Sequence, residues 1–298
     1  MNANRAGAVA AAASALGYSF TVTFGAALAR DGLGAPVVLS IRFALSGLAL
    51  LGLCRLLGRP LLPAPGQWRR VFLLGAVVYA AESGTFFSAV VHSSAATAAV
   101  VVYVYPVLVT LFEAVMRRRP PTRHIRIALC LSVGGTALVA GAGGHVELHG
   151  LGFALGLASA TLFAVYLMVG SRVTSQSDPF AAAGWVALGA AWTFGVISLA
   201  GPGYGSVGGH LPALVGNGVA NIVAFGMMFA ALQRLSPSRA AVVFTLEAVF
   251  AVILSALVLG EVLAPLQAVG AAGVLLAAVV VLRAESEPSI AERELAAL

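Results

Sequence analysis

The chain predicts an all-α integral membrane protein: ten transmembrane helices in two inverted five-helix repeats, with both termini cytoplasmic. Three observations carry that prediction. The composition is too apolar for water, ten apolar runs have spanning length, and a stretch of sequence recurs 142 positions later.

Of the 298 residues, 60% are hydrophobic and 9% are charged, and the mean hydropathy is +0.99. A soluble domain carries about one-quarter charged residues, so a lipid bilayer is the surrounding this composition suits. All 17 basic residues are arginine, and the formal net charge is +6. They are grouped at the ends of apolar runs, which assigns the charge to membrane orientation; nucleic acid is not an expected partner. Cys54 and Cys130 lie inside apolar runs, where no structural disulfide is expected.

Apolar runs of about 20 residues read as spans. In order they cover approximately 7–28, 35–57, 70–91, 94–116, 124–142, 150–171, 180–200, 211–233, 237–259 and 264–283. Span one is expected to stay in place, because it is long, contains Tyr18, Ser19 and Thr21, and follows a single arginine, unlike a cleaved leader. Turn chemistry marks the breaks. Asp31-Gly32-Leu33-Gly34 leads into span two, Arg59-Pro60 follows it, and Arg119-Pro120-Pro121 ends span four. Ser177-Asp178-Pro179 separates spans six and seven, and Gly201-Pro202-Gly203 spans seven and eight. Residues 92–93 and 234–236 leave room only for tight hairpins, at equivalent points of the two copies. The tail from Glu285 to Leu298 is short and charged, and reads as disordered or a surface helix.

The duplication rests on Phe and Ser keeping step. Phe87, Ala89, Ser94 and Ala98 to Val101 return without gaps as Phe229, Ala231, Ser236 and Ala240 to Val243. An earlier pairing sets Ala13, Ser14 and Ala15 against Ala158, Ser159 and Ala160. The expected units are residues 1–143, 144–284 and a cytoplasmic tail, 285–298. With a cytoplasmic N-terminus, the inside loops and ends collect Arg5, Arg55, Arg59, Arg69, Arg70, Arg117, Arg118, Arg119, Arg123, Arg126, Arg172, Arg234, Arg239, Arg283 and Arg293. The outside loops keep only Arg30, and Arg42 falls within a span. Five spans per copy is an odd number, so the second copy enters upside down and a pseudo-two-fold axis lies in the membrane plane.

At this point the chain resembles the EamA-type transporters of the drug/metabolite transporter superfamily. The residues carrying the resemblance run from Ser236-Pro-Ser-Arg-Ala-Ala through Glu247 to Gly260-Glu261 and Leu266-Gln267-Ala-Val-Gly270. Aromatic residues near the middle of the spans make it look closest to the aromatic amino-acid exporters of the YddG type. The family often has Glu-Pro where this chain has Glu247-Ala248, whereas the first copy keeps Pro106 without the acid. The resemblance implies a bacterial cytoplasmic (inner) membrane transporter that exports amino acids, aromatic ones foremost, by alternating access, with a small-molecule substrate, no cofactor and a monomeric state. Export of other metabolites or drugs, nucleotide-sugar transport, and a structural or sensory membrane role stay open. No nucleophile, base and orienting acid assemble at a recognisable spacing, which speaks against an enzyme.

Charge at mid-membrane costs about 2.5 kcal/mol or more, so it must face protein, water or a partner. Glu82 lies about 18 Å into span three and Arg42 about 9 Å into span two from the other side. Glu82 is expected to bind a substrate amino group or shuttle a proton, with Arg42 tuning it or meeting a carboxylate; a buried Arg42–Glu82 ion pair is the structural alternative. Glu247, near the midplane of span nine, is the second proton or charge carrier, or else an acid hydrogen-bonded to a neighbouring helix. Tyr18, Tyr79, Tyr103, Tyr105, Phe163 and Trp185 are expected to line a substrate cavity, with Tyr166 and Phe225 nearby, against the plainer reading of helix packing. Asn221, at the repeat position of Tyr79, is a substrate hydrogen-bonder or an interhelical one. Pro106 is expected to kink span four, and spans four and nine to bend as gates. Gly152 to Gly156 and Gly270 to Gly273 would let helices approach closely. Glu113 is expected to pair locally with Arg117. His145-x-Glu147-x-His149 is an incomplete metal pattern, and no metal site is expected. The cavity would lie between spans one, three, four, six, eight and nine.

Overall fold

The computed structural model describes residues 3–142, 150–173, 175–201, 203–204, 207–259 and 264–283. Among them every regular element is helical, and ten helical segments are long and apolar enough to cross a bilayer. They coincide with the ten apolar runs. The His145 to His149 pattern, Glu261 and the tail lie outside the described residues.

Spans one and two are α1 (Ala3–Arg30) and α2 (Ala35–Leu56). Between them Gly32 takes φ of +83°, a conformation glycine adopts without steric cost. Span three is composite: α3 (Trp68–Leu73), a π-helical turn (Leu74–Tyr79) and α4 (Ala80–His92). Span four consists of α5 (Ala95–Val102) and α6 (Tyr105–Arg117), and span five is α7 (Arg123–Ala142). Spans six, seven and eight are α8 (Gly150–Val173), α9 (Pro179–Ala200) and α10 (Leu211–Leu232). Span nine divides into α11 (Pro237–Phe244) and α12 (Leu246–Leu259), and α13 (Pro265–Arg283) is span ten.

Local chemistry explains the starts. Ser94 caps α5 by accepting the Thr97 N–H at 3.1 Å, and Asp178 caps α9 by accepting from Phe180 and Ala181 at 2.9 and 3.2 Å. Proline in the first turn opens α2, α9, α10 and α11, where its missing N–H costs nothing.

The helices pack as a pseudo-symmetric pair of copies. Span one lies along span eight as span six lies along span three, while spans two and seven, and spans five and ten, pair with each other. Glycine makes the closest crossings possible. A Cβ on Gly135 would stand 2.6 Å from the Gly270 carbonyl oxygen, and one on Gly270 2.5 Å from that of Gly135. Gly152 and Gly156 likewise admit Ser93 and Val101.

Both copies break their fourth span at the same place. The α5–α6 break falls at Tyr103-Val104 and the α11–α12 break at Thr245, and Thr245 is the repeat position of Tyr103. Pro106 explains the first break, because it has no N–H to give the Val102 carbonyl. The second copy has Ala248 there and breaks without a proline, with Thr245 turning its hydroxyl back to the Val242 carbonyl at 2.6 Å. Each span runs on past its break, over Ala96–Arg117 and Pro237–Leu254, so the breaks are local distortions inside the bundle.

The chain enters and leaves the bundle on one face, since it crosses an even number of times. Between the breaks and that termini face α6 and α11 are tied together. The Tyr105 hydroxyl donates to the Ala241 carbonyl at 3.1 Å. The Glu113 carboxylate accepts the Ser238 N–H at 2.9 Å and also the Ser238 hydroxyl. The expected Glu113–Arg117 pair forms at 2.6 Å, so the same carboxylate serves a local and a long-range partner.

Candidate functional site

Glu82 owes its place to the π-helical turn. One extra residue per turn in Leu74–Tyr79 shifts the face that span three presents, and Gly75 lets the turn press against the Val186 backbone, where any Cβ would collide with the Val186 carbonyl. Glu82 is then buried, accepting hydrogen bonds from Ser83 and Ser159, each at 3.1 Å. The Ser159 contact has a symmetry mate. Ser14, the repeat partner of Ser159, donates to the Ala224 carbonyl at 2.8 Å, and Ala224 is the repeat position of Glu82. A serine-to-backbone contact in one half is a serine-to-carboxylate contact in the other.

The anticipated Arg42–Glu82 ion pair does not form. The Glu82 oxygens are held by the serines, whereas the Arg42 guanidinium lies 4.4 Å from the centre of the Phe43 ring and its buried Nε has no partner. Arg42 nonetheless stands within electrostatic reach of Tyr79, Tyr18, Glu82 and Glu247, so the charged and phenolic groups of spans one, two, three and nine converge on one region. Tyr18 and Tyr79 are hydroxyl neighbours there, and Tyr18 also donates to the Met228 sulfur at 3.6 Å.

Glu247 sits directly after the span-nine break, partly exposed amid buried neighbours, and its carboxylate has no hydrogen-bond partner among the described residues. The alternative of a carboxyl bonded to a neighbouring helix is not seen among the described residues. Tyr103 and Tyr105, at and beside the span-four break, stand within electrostatic reach of Glu247 in the other copy. The two breaks therefore bring an acid and two phenols into one region.

Aromatic rings join these groups. Tyr105 packs edge-on to Phe163 at 4.8 Å, Phe163 stacks with Tyr166 at 6.0 Å, and Tyr166 lies 4.8 Å from Tyr79. Tyr79 continues to Phe43 at 5.4 Å and Phe225 at 5.1 Å, and Phe225 reaches Tyr18 at 6.3 Å. Trp185 stands apart from this set. It lies on the termini side of span seven, against Trp68 and Phe72, and donates its indole N–H to the Leu61 carbonyl at 2.9 Å. Asn221 makes the interhelical bond, its Nδ2 donating to Ser46 at 2.8 Å, but its Oδ1 is buried without a partner. Pro106 is buried at the start of α6.

Phe43 carries no marker in an apolar run, and only its packing places it in the centre. Asn217 does carry one: it is an amide inside an apolar span, one turn from Asn221. It is fully buried, and neither its Oδ1 nor its Nδ2 finds a partner. Among the described residues no group of three metal-ligating side chains gathers, and both cysteines are free.

Ten spans in two packed copies, each with a broken helix meeting polar groups at mid-bundle, define a membrane transporter of small metabolites built on an internal repeat. The chain belongs to the EamA-like transporter family, whose model matches residues 5–141 and 150–283, one match on each copy. No curated protein matches the chain. The solved structures that resemble the chain include a protein crystal structure that is similar over 95% of this chain and 98% of its own, with a TM-score of 0.75 at 20% identity. That likeness concerns the fold.

Proposed function

We propose that the protein exports amino acids, aromatic ones foremost, across a bacterial cytoplasmic membrane by alternating access, as a monomer with both termini in the cytoplasm and copies dividing at residues 143 and 144. The observation that carries this reading is the unbridged Arg42 standing near Glu82 and Glu247 within a chain of aromatic rings. Opposite charges held apart at mid-membrane are costly unless something fills the gap. An amino acid offers both complements: its carboxylate meets Arg42, its ammonium meets Glu82 or Glu247, and a planar side chain packs on Tyr79, Tyr103, Tyr105 and Phe163 with Tyr18 closing the side. Glu82 and Glu247 are also the groups that would carry a coupled proton.

The ties between α6 and α11 support a state closed on the termini face, with substrate reaching Glu247 and Tyr103 from the far face. Rocking of the half-helices about Pro106 and Thr245 would exchange that closure for one on the far side. Efflux of labelled tryptophan, phenylalanine and threonine from proteoliposomes, with and without a pH gradient, tests the reading. Saturable movement of the aromatic solutes is expected, and dependence on the gradient would add proton coupling. Movement of threonine alone would redirect the substrate class, and movement of none would favour nucleotide sugars, drugs or a role without transport.

A further inference from the structure

On the reading just given, we infer that Asn217 completes the carboxylate subsite with Arg42 and so sets the preference for acids over neutral analogues. The placement follows from register. Spans two and eight run in the same direction, and the Asn221–Ser46 hydrogen bond fixes their relative height. One turn toward the far face, about 6 Å on at 1.5 Å per residue, lie Arg42 on α2 and Asn217 on α10, at one level. Rotation follows from the neighbours. The missing Cβ of Gly216 points at Phe24 of span one and that of Gly218 at Leu45 of span two. Asn217, between them in the helical turn, faces the seam of those two spans, on the side where Asn221 and Phe225 also project.

The chemistry left over at this step is specific. Arg42 Nε, Asn217 Nδ2 and Oδ1, and Asn221 Oδ1 are all buried and unpartnered, whereas native interiors satisfy nearly every such group. A hydrogen bond between two helices would account for a single amide. It does not account for donors and acceptors standing idle together beside a guanidinium. A carboxylate satisfies the Arg42 and Asn217 N–H groups at once, in a charge-assisted pair that an amide or an amine cannot reproduce.

The test compares phenylalanine with phenylalanine amide as competing solutes in proteoliposomes, for the wild type and Asn217→Leu, with thermal stability measured without ligand. The wild type is expected to prefer the acid, and Asn217→Leu to reduce that preference about tenfold, as loss of a charge-assisted hydrogen bond does. Its unliganded melting temperature should hold or rise, because an unsatisfied buried amide is replaced by an apolar group. Asn217→Ala serves the same comparison if the leucine variant does not fold. An unchanged acid-to-amide ratio in the variant, or a lowered melting temperature with that ratio intact, overturns the inference and leaves amino-acid export standing. Equal use of both solutes by the wild type also overturns it alone. Failure of the wild type to move either one removes the amino-acid reading and the inference with it.

Discussion

At the scale of single residues, the site turns on a carboxylate that two serines hold. Ser159 donates to Glu82 where its repeat partner Ser14 donates to a backbone oxygen, so the fold needs an acceptor at this point but not a charge. Glu82→Gln keeps an acceptor oxygen and removes the charge. It is expected to preserve folding and to cut substrate flux by about ten- to a hundredfold, the worth of a hydrogen bond to a charged group. Flux in proteoliposomes alongside a melting curve separates the two effects, and full flux in the variant would return Glu82 to a packing role. Gly75 is the opposite case, needed by shape alone. Gly75→Ala drives a methyl into the Val186 carbonyl and is expected to destabilise by about 1–3 kcal/mol or more, read as a lowered melting temperature in detergent.

Elements show where sequence reading stops. The spans were legible because lipid demands long apolar runs whatever their packing. Pro106 was legible because a missing N–H acts wherever it stands. The Thr245 break was only half legible: the repeat pointed to it, but no residue there forbids helix. The π-helical turn left no mark in Leu-Gly-Ala-Val-Val-Tyr, since its extra residue is held by contact with α9. Trp185 and Tyr79 both lie inside apolar runs, and composition does not tell which face of its helix each occupies. One substitution tests the role of the first break. Pro106→Ala returns an N–H to Val102, so α5 and α6 should fuse, adding about 1 kcal/mol of stability from one hydrogen bond. If the break is a hinge, the melting temperature rises while flux falls; undiminished flux in a stabilised variant would free Pro106 of a gating role.

For the whole molecule, the proposed closure of the termini face draws on the contacts between α6 and α11. Glu113 caps α11 from another helix through Ser238 and holds Arg117 besides. Glu113→Ala removes that cap, at about 1–2 kcal/mol, which moves a two-state balance by about five- to thirtyfold. In a variant without Cys54 and Cys130, a cysteine placed at Ala240, which is fully buried, should then be alkylated faster by a reagent added on the termini face. Unchanged labelling would mean that the face is closed by packing and not by this carboxylate.

The two breaks occupy one repeat position, yet only the first copy places a proline beside it. A proline withholds its N–H for good, whereas the Ala248 N–H, bonded to the Thr245 carbonyl at 3.1 Å, can return to a helical partner. If the breaks serve as the proposed gates, the two differ in stiffness, and the waiting times before each one opens need not be equal. Such a carrier cannot choose the direction of net flow, which belongs to the solute gradients. It can choose where it waits. Under load the population will gather in front of the slower gate, and a solute present on only one side of the membrane will meet a carrier already facing it, or one that must first turn round.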